Sequence, residues 1–230
     1  MISNFKHEDN WQDIKDVTMT TIGKTTGKYP DSDWKLKLIR AEHSPIRKLK
    51  FSWTWVGIPY YVSTHFVRHK IGIEHWVSTQ RSDRTGVDRH TLPQDALVNH
   101  SCEADGQALI NISRRRLCNC ASKDTKKNWL DVKEEIRKVE PKLADSMVRE
   151  CIYRNGYCPE FKSCGYNKTP QFRTELAKYM GYYEDYVYEI PKPIRDNGIE
   201  TKENVMTKEF IKSCEDVALK YTKRTDNYER

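Results

Sequence analysis

Four large apolar side chains, Leu49, Phe51, Trp53 and Trp55, alternate with Lys50, Ser52 and Thr54. A strand turns successive side chains to opposite faces, so this period of two gathers all four on one side of a sheet. Around it the chain reads as helices. Over 31–43, Trp34, Leu38 and Ala41 fall at helical spacing behind Asp31 and Asp33, which suit a helix start. Pro59 suits the first turn of a helix carrying Tyr61, Val62, His65, Phe66 and His69, until Gly72 weakens it. Residues 82–93 read as a loop, and 104–121 and 125–139 as two helices. In the second, Trp129, Val132, Ile136 and Val139 form one apolar stripe, which Pro141 interrupts. A cysteine-rich irregular stretch over 151–166 follows, and a closing helix over 208–221 buries Phe210, Cys214, Val217 and Tyr221. The fold class expected is α/β, dominated by helices.

With 230 residues, 37% of them hydrophobic, the chain can bury one good core, or a small core plus an appendage. No repeat or linker divides it, so a single domain over 1–230 is expected. No apolar run approaches the roughly 20 residues a membrane helix needs, and residues 1–10 lack the apolar stretch of a secretory signal. A soluble, cytoplasmic protein is expected, with no membrane partner. Its seven cysteines are odd in number and read as thiols or metal ligands rather than a disulfide framework. The net charge of +7 favours an anionic partner without choosing between nucleic acid, nucleotide and phosphorylated cofactor.

Reactive side chains are densest in one short stretch: His65, Arg68, His69, Lys70, Glu74, His75, Ser78, Gln80, Arg81 and Arg84. Arg and Lys donate to phosphate oxygens, Ser adds a hydroxyl for the same anion, and Gln can read the donor and acceptor edge of a uracil. A nucleotide fits this inventory; a solvated helix face followed by a basic loop fits the composition equally well.

Spacing favours the nucleotide. Arg68-His69-Lys70, seven further residues and Ser78 resemble the Arg-His-Arg, seven residues, Ser signature of the flavin-dependent thymidylate synthases. Glu42-His43, the strand over 51–55 and Pro59 upstream, and Asn111 and Trp129 downstream, stand at that family's separations, so the resemblance covers about residues 35–140. It implies a helix-rich α+β subunit with a central mixed or antiparallel sheet; the cysteine-rich stretch after about Pro141 has no counterpart in the resemblance and reads as a C-terminal extension. The resemblance further implies a homotetramer with FAD between subunits and dUMP stacked on the flavin ring, using NADPH and methylenetetrahydrofolate as co-substrates. By the same resemblance His43, Arg68, His69, Lys70, Asn111 and Ser113 fall on cofactor-binding positions. His65, Arg68, Trp76, Val77, Ser78, Thr79, Gln80 and Arg81 fall on substrate-binding ones. Arg81, Ser122 (by position match only) and Lys123 fall on catalytic ones.

The sequence departs from the pattern at specific places. Lys70 stands for an Arg and keeps the charge without the two-pronged geometry. Gln80 occupies the position of an Arg two residues after the Ser, with Arg81 one later. His75-Trp76 replaces an Asn-Glu pair, with Glu74 displaced. The arginine used near the uracil falls on Ser122, beside Lys123 and downstream of Arg114, Arg115 and Arg116. These departures leave open a related enzyme that modifies pyrimidine C5 differently, for example by hydroxymethylation.

Cys151, Cys158 and Cys164 could hold zinc, although their spacing lacks a tight knuckle and buried thiols are the plainer account. With the three-arginine run they also suggest a rival class, a basic zinc-containing nucleic-acid-binding protein. Successive helical positions point in different directions, so the run reads as a solvated turn, with Arg115 or Arg116 open to face a flavin or nucleotide. No nucleic acid is expected on the main reading. His7, His90 and His100 lie outside the motif and read as surface or structural residues.

Overall fold

The computed structural model describes residues 1–181, in which four strands and nine helices alternate. The helix expected over 208–221 lies outside the described residues. Two compact units divide the chain, one over Met1–Met147 and one beginning at Val148.

In the first unit, strands β1 (Ile2–His7), β2 (Lys50–Pro59), β3 (Ile73–Val77) and β4 (Leu97–Asp105) form a four-stranded sheet in the order β1-β2-β4-β3. Every neighbouring pair is antiparallel. The alternation in β2 holds: Phe51, Trp53 and Trp55 are buried, while Lys50 is exposed and Ser52 and Thr54 are partly covered. An irregularity between Trp55 and Ile58 interrupts the β2–β4 register, where Gly57 takes a positive φ of 63°.

The helices of this unit are α1 (Trp11–Thr20), α2 (Ser32–Arg40), α3 (Tyr60–Phe66), α4 (Ser82–Thr85), α5 (Gly106–Arg116), α6 (Lys123–Val139) and α7 (Pro141–Ser146). Asp31 caps α2 by accepting from the Trp34 N–H at 2.8 Å. Asp105 caps α5 by accepting from the Ala108 N–H at 2.8 Å. Buried residues on α6 are Thr125, Trp129, Val132 and Ile136; Val139, expected in the same stripe, is 43% exposed because the helix ends there. Trp129 is wholly buried, its ring 6.1 Å from Trp53, 6.4 Å from Trp55 and 5.7 Å from Phe66. Its indole N–H donates to Ser113 Oγ at 2.9 Å.

Three sequence expectations are corrected here. The helix expected to reach His69 stops at Phe66, and His69 lies in the turn beyond. The helix expected over 104–121 is shorter, because Ala104 and Asp105 finish β4. The loop of 82–93 contains the single turn α4 and a second short helical turn over Arg89–Thr91.

In the second unit, α8 (Glu150–Tyr153) and α9 (Pro170–Gly181) flank an irregular stretch. Val148, Ile152, Phe172 and Leu176 form its apolar cluster. Glu175 joins the polar side, accepting from Arg149 Nε at 3.0 Å and from the Tyr166 hydroxyl at 2.5 Å. Among the described residues no helix is long and apolar enough to cross a membrane.

Candidate functional site

The motif lies in the turn between α3 and β3, and Gly72 shapes that turn. Its φ is +72°, and an added Cβ would sit 2.5 Å from the Asp105 carboxylate. The Gly72 carbonyl meanwhile accepts from the Asp105 N–H at 2.8 Å. Gly72→Ala therefore meets left-handed strain and displaces the α5 cap. We expect it to lower stability by about 2–3 kcal/mol, read as a lower urea midpoint at unchanged slope.

Two polar clusters flank the N-terminal and C-terminal parts of α5. In the first, Glu42 holds a left-handed φ of 46° and pairs with Arg114; Gln107 Nε2 also donates to it at 2.5 Å. Asn111 Oδ1 accepts from Arg114 at 3.1 Å and from Gln107 at 3.3 Å. Gln107, Asn111 and Arg114 are four and three residues apart and so share a helix face. Next to Glu42, His43 is exposed at the head of a short helical turn over Ser44–Lys48. Glu42, the chain neighbour of His43, is thus linked to Asn111 through Gln107 and Arg114.

The second cluster is built on Arg116. Its Nε–H donates to His69 Nε2 at 2.7 Å and its Nη2 to the His65 carbonyl at 2.6 Å. Burial and the neighbouring Arg116 and His75 pull the His69 pKa down to about 4. Burial, Arg116 and Arg68 lower that of His65. Burial and Arg68 lower the pKa of Arg116 itself. Among the described residues neither Arg68 nor Arg116 has an ion-pair partner. Two guanidinium groups near enough to repel one another, one of them half-buried and bonded to His69, make a field that favours an anion.

Neutral His69 also sets a pH dependence. Its folded pKa lies below the ordinary value near 6.5, so the unfolded chain binds more protons in between. The stability it contributes is complete above that ordinary value and is lost as pH falls towards about 4. Wild type should lose more stability than His69→Gln between neutral and mildly acidic pH. The difference should be at most about 1.4 kcal/mol per pH unit for one proton, and less because the ring is partly exposed. Equal slopes in urea titrations would contradict this.

The other expected site residues fall as follows. Lys70 is exposed. Ser78 extends the β3–β4 pairing: its N–H donates to the Asn99 carbonyl at 2.8 Å, and its Oγ accepts from the Asn99 N–H at 3.0 Å. The Ser78 hydroxyl hydrogen thus stays available to a ligand. Trp76 is 57% exposed and Val77 partly covered on β3; Thr79 accepts from the Arg81 N–H at 3.1 Å, and Gln80 is partly covered. Arg81 is turned to Asp83 in a two-pronged pair at 2.8 and 3.0 Å. Ser122 caps α6, accepting from the Thr125 N–H at 3.4 Å, and Lys123 is exposed at its first turn.

Ser113 is corrected: it is fully buried, accepting from Trp129 and donating to the Leu109 carbonyl at 2.7 Å, so it faces the core and not a cofactor. The reading of the arginine run as a solvated turn is corrected too, since Arg114 pairs with Glu42 and Arg116 is drawn under the motif. Its decisive signal, the His69 ring and the His65 carbonyl within reach of one guanidinium, is invisible without the fold. Nor are Cys151, Cys158 and Cys164 brought to metal-binding distance. Among the described residues the one group of three such ligands is His75, His100 and Cys102. The long irregular spacing of the three thiols leaves Cys151 packed beside the apolar cluster and Cys164 exposed.

A hollow of about 410 Å³ lies away from the motif, lined by His7, Lys35, Ile39 and Glu140 among others.

No protein-family model matches the chain, and no curated protein matches it. Solved structures do match. One is flavin-dependent thymidylate synthase ThyX from Helicobacter pylori complexed with FAD and dUMP. It is 10% identical, with a TM-score of 0.51 over 65% of this chain and 99% of that one. The chain has the fold of a flavin-dependent thymidylate synthase. A second match, a UMP/dUMP methylase PolB from Streptomyces cacaoi bound with 5-Br dUMP, is 12% identical over 64% of this chain and 94% of that one, with a TM-score of 0.47. Within the flavin-dependent thymidylate synthase fold, the Arg68-His69-Lys70 run occupies the turn between α3 and β3, and Ser78 stands at the far end of β3.

Proposed function

We propose that this protein methylates dUMP to dTMP, with FAD as bound cofactor and methylenetetrahydrofolate and NADPH as co-substrates, in a homotetramer. The observation that carries this reading is the uncompensated pair Arg68 and Arg116 set against neutral His65 and His69, at the spacing of the signature and on this fold. Cations in such a setting fit a phosphate or a uracil carbonyl, because they gain a counter-ion there without disrupting an existing pair. The reduced flavin supplies the hydride and the folate the carbon.

The protein's own contribution is to bind and polarise. Ser78 gives its hydroxyl hydrogen to the nucleotide phosphate, and Gln80 reads the uracil edge. Arg68 and Arg116 stabilise charge developing on the uracil carbonyls, and Arg116 costs little reorganisation at that step because His65 and His69 already hold it. Arg81 joins them by leaving Asp83; an exposed pair of this kind contributes only about 0–1 kcal/mol. His43, Lys70 and Asn111 take the flavin on the adjoining surface. Exposed Ile71 (88%) and Trp76 (57%) beside the motif suit a neighbouring subunit that completes the site.

Incubation with dUMP, methylenetetrahydrofolate, FAD and NADPH should give dTMP by mass spectrometry. Unchanged dUMP would overturn the assignment, and a product heavier by one oxygen would replace methylation by hydroxymethylation.

A further inference from the structure

We propose that His75, His100 and Cys102 form a metal site for one zinc ion, or another first-row divalent ion that prefers nitrogen and sulfur. It goes beyond the methylation reading and does not depend on it.

The site follows from strand register. His75 on β3 lies directly opposite Cys102 on β4, so their side chains leave the same face of the sheet. His100, two residues before Cys102, shares that face and is diagonal to His75. A slip of one residue in the β3–β4 pairing would send His75 to the other face.

The distances suit a small ion. His75 Nδ1 is 2.9 Å from His100 Nε2 and 3.3 Å from Cys102 Sγ, and the three atoms all lie within 4.8 Å of one another. Tetrahedral zinc, with bonds of about 2.0–2.1 Å to nitrogen and about 2.3 Å to sulfur, needs separations of roughly 3.3 Å between nitrogens and roughly 3.6 Å from nitrogen to sulfur. The pair of imidazoles has to open by a few tenths of an ångström.

The surroundings are those of a metal site as well. His75 Nε2–H donates to the His69 carbonyl at 2.8 Å, which fixes its tautomer and aims Nδ1 at the centre. His100 Nδ1 meets Ser63 Oγ at 3.0 Å, a partner that can accept Nδ1–H and so leave Nε2 free to bind. His100 and Cys102 are 0% and 2% exposed, with Trp55 and Phe66 against the His100 ring. In the metal-free protein, His75 Nε2–H is donated outward, so His100 Nε2–H or the Cys102 thiol donates to Nδ1. Binding expels the thiol proton and leaves the His100 proton on Nδ1, moving it there if it sits on Nε2 in the metal-free protein. The balance is M²⁺ plus one thiol and two neutral imidazoles going to the metal thiolate complex and one H⁺. Because the outer nitrogen of His75 holds the His69 carbonyl, the ion would brace the motif turn.

The test is a titration of the full chain, freed of metal by a chelator and kept reduced, with Co²⁺. One equivalent should produce a thiolate-to-cobalt charge-transfer band that Zn²⁺ then abolishes. Calorimetry in buffers of different ionisation enthalpy should show one proton released per ion. Cys102→Ala should remove the band, and His75→Asn should weaken binding at least as much as Ser63→Ala, for which loss of an outer-shell partner predicts about 10- to 100-fold. Cys158→Ser should bind like wild type. Near-ultraviolet circular dichroism identifies any variant that fails to fold; if Cys102→Ala does so, His75→Asn decides. Absence of the band in folded wild type overturns the proposal, as does a band that survives Cys102→Ala.

Discussion

Trp129→Ala is expected to cost about 3–5 kcal/mol, a large share of the roughly 5–15 kcal/mol that holds a typical domain together. Trp129 is 0% exposed and its ring lies within 6.4 Å of the ring centres of Trp53, Trp55 and Phe66. Deleting it leaves a cavity between the sheet and α6, and leaves Ser113 without the indole donor at 2.9 Å. The same packing holds α3, and with it His65, whose Nδ1 meets Thr125 Oγ1 on α6 at 2.7 Å. Trp129→Phe keeps most of the apolar contact and should lose clearly less. Urea unfolding of the three proteins checks this; equal midpoints for Trp129→Ala and wild type would refute it.

Arg116→Met is expected to leave stability within about 1 kcal/mol of wild type and to weaken dUMP binding about 30- to 1000-fold, the equivalent of roughly 2–4 kcal/mol for a desolvated charge contact. The methionine fills the space of the aliphatic stem and relieves the repulsion from Arg68 that lowers the Arg116 pKa. It forfeits the bonds to His65 and His69 at 2.6 and 2.7 Å, which is why stability is not expected to rise much. Arg116→Lys should recover the charge but only part of the affinity, since an ammonium cannot span both acceptors and a ligand oxygen. Calorimetric binding of dUMP beside thermal unfolding separates the two roles. Loss of stability with affinity retained would make Arg116 a core residue and remove it from the site.

How much of this was legible in the sequence depends on which contacts are local. The β2 alternation and the α6 stripe were readable because each buries a regular set of large side chains against one partner surface. β3 and β4 were not, since Ile73–Val77 mixes Glu, His and Trp with only two aliphatic residues, and β4 carries His100, Ser101 and Glu103. Pairing with β2 and with each other, rather than local pattern, makes them strands. The same limit applied to the site. Arg68-His69-Lys70 and Ser78 were found because their spacing lies within one turn and one strand. Arg116 and Thr125, which meet His69 and His65 from 47 and 60 residues away, depend on how α5 and α6 pack. Ser113 failed in the other direction: one helix presents Asn111 to solvent and Ser113 to Trp129, and position along the chain does not distinguish the two faces.

The central claim is that the surface around Arg68, His69 and Arg116 receives a flavin with a pyrimidine nucleotide against it. It is tested most directly by the visible absorption spectrum of the purified chain reconstituted with FAD, before and after addition of dUMP. The account predicts that FAD stays with the protein through gel filtration, that its spectrum shifts on adding dUMP, and that Arg116→Met greatly reduces the shift. A protein that retains no FAD would contradict it.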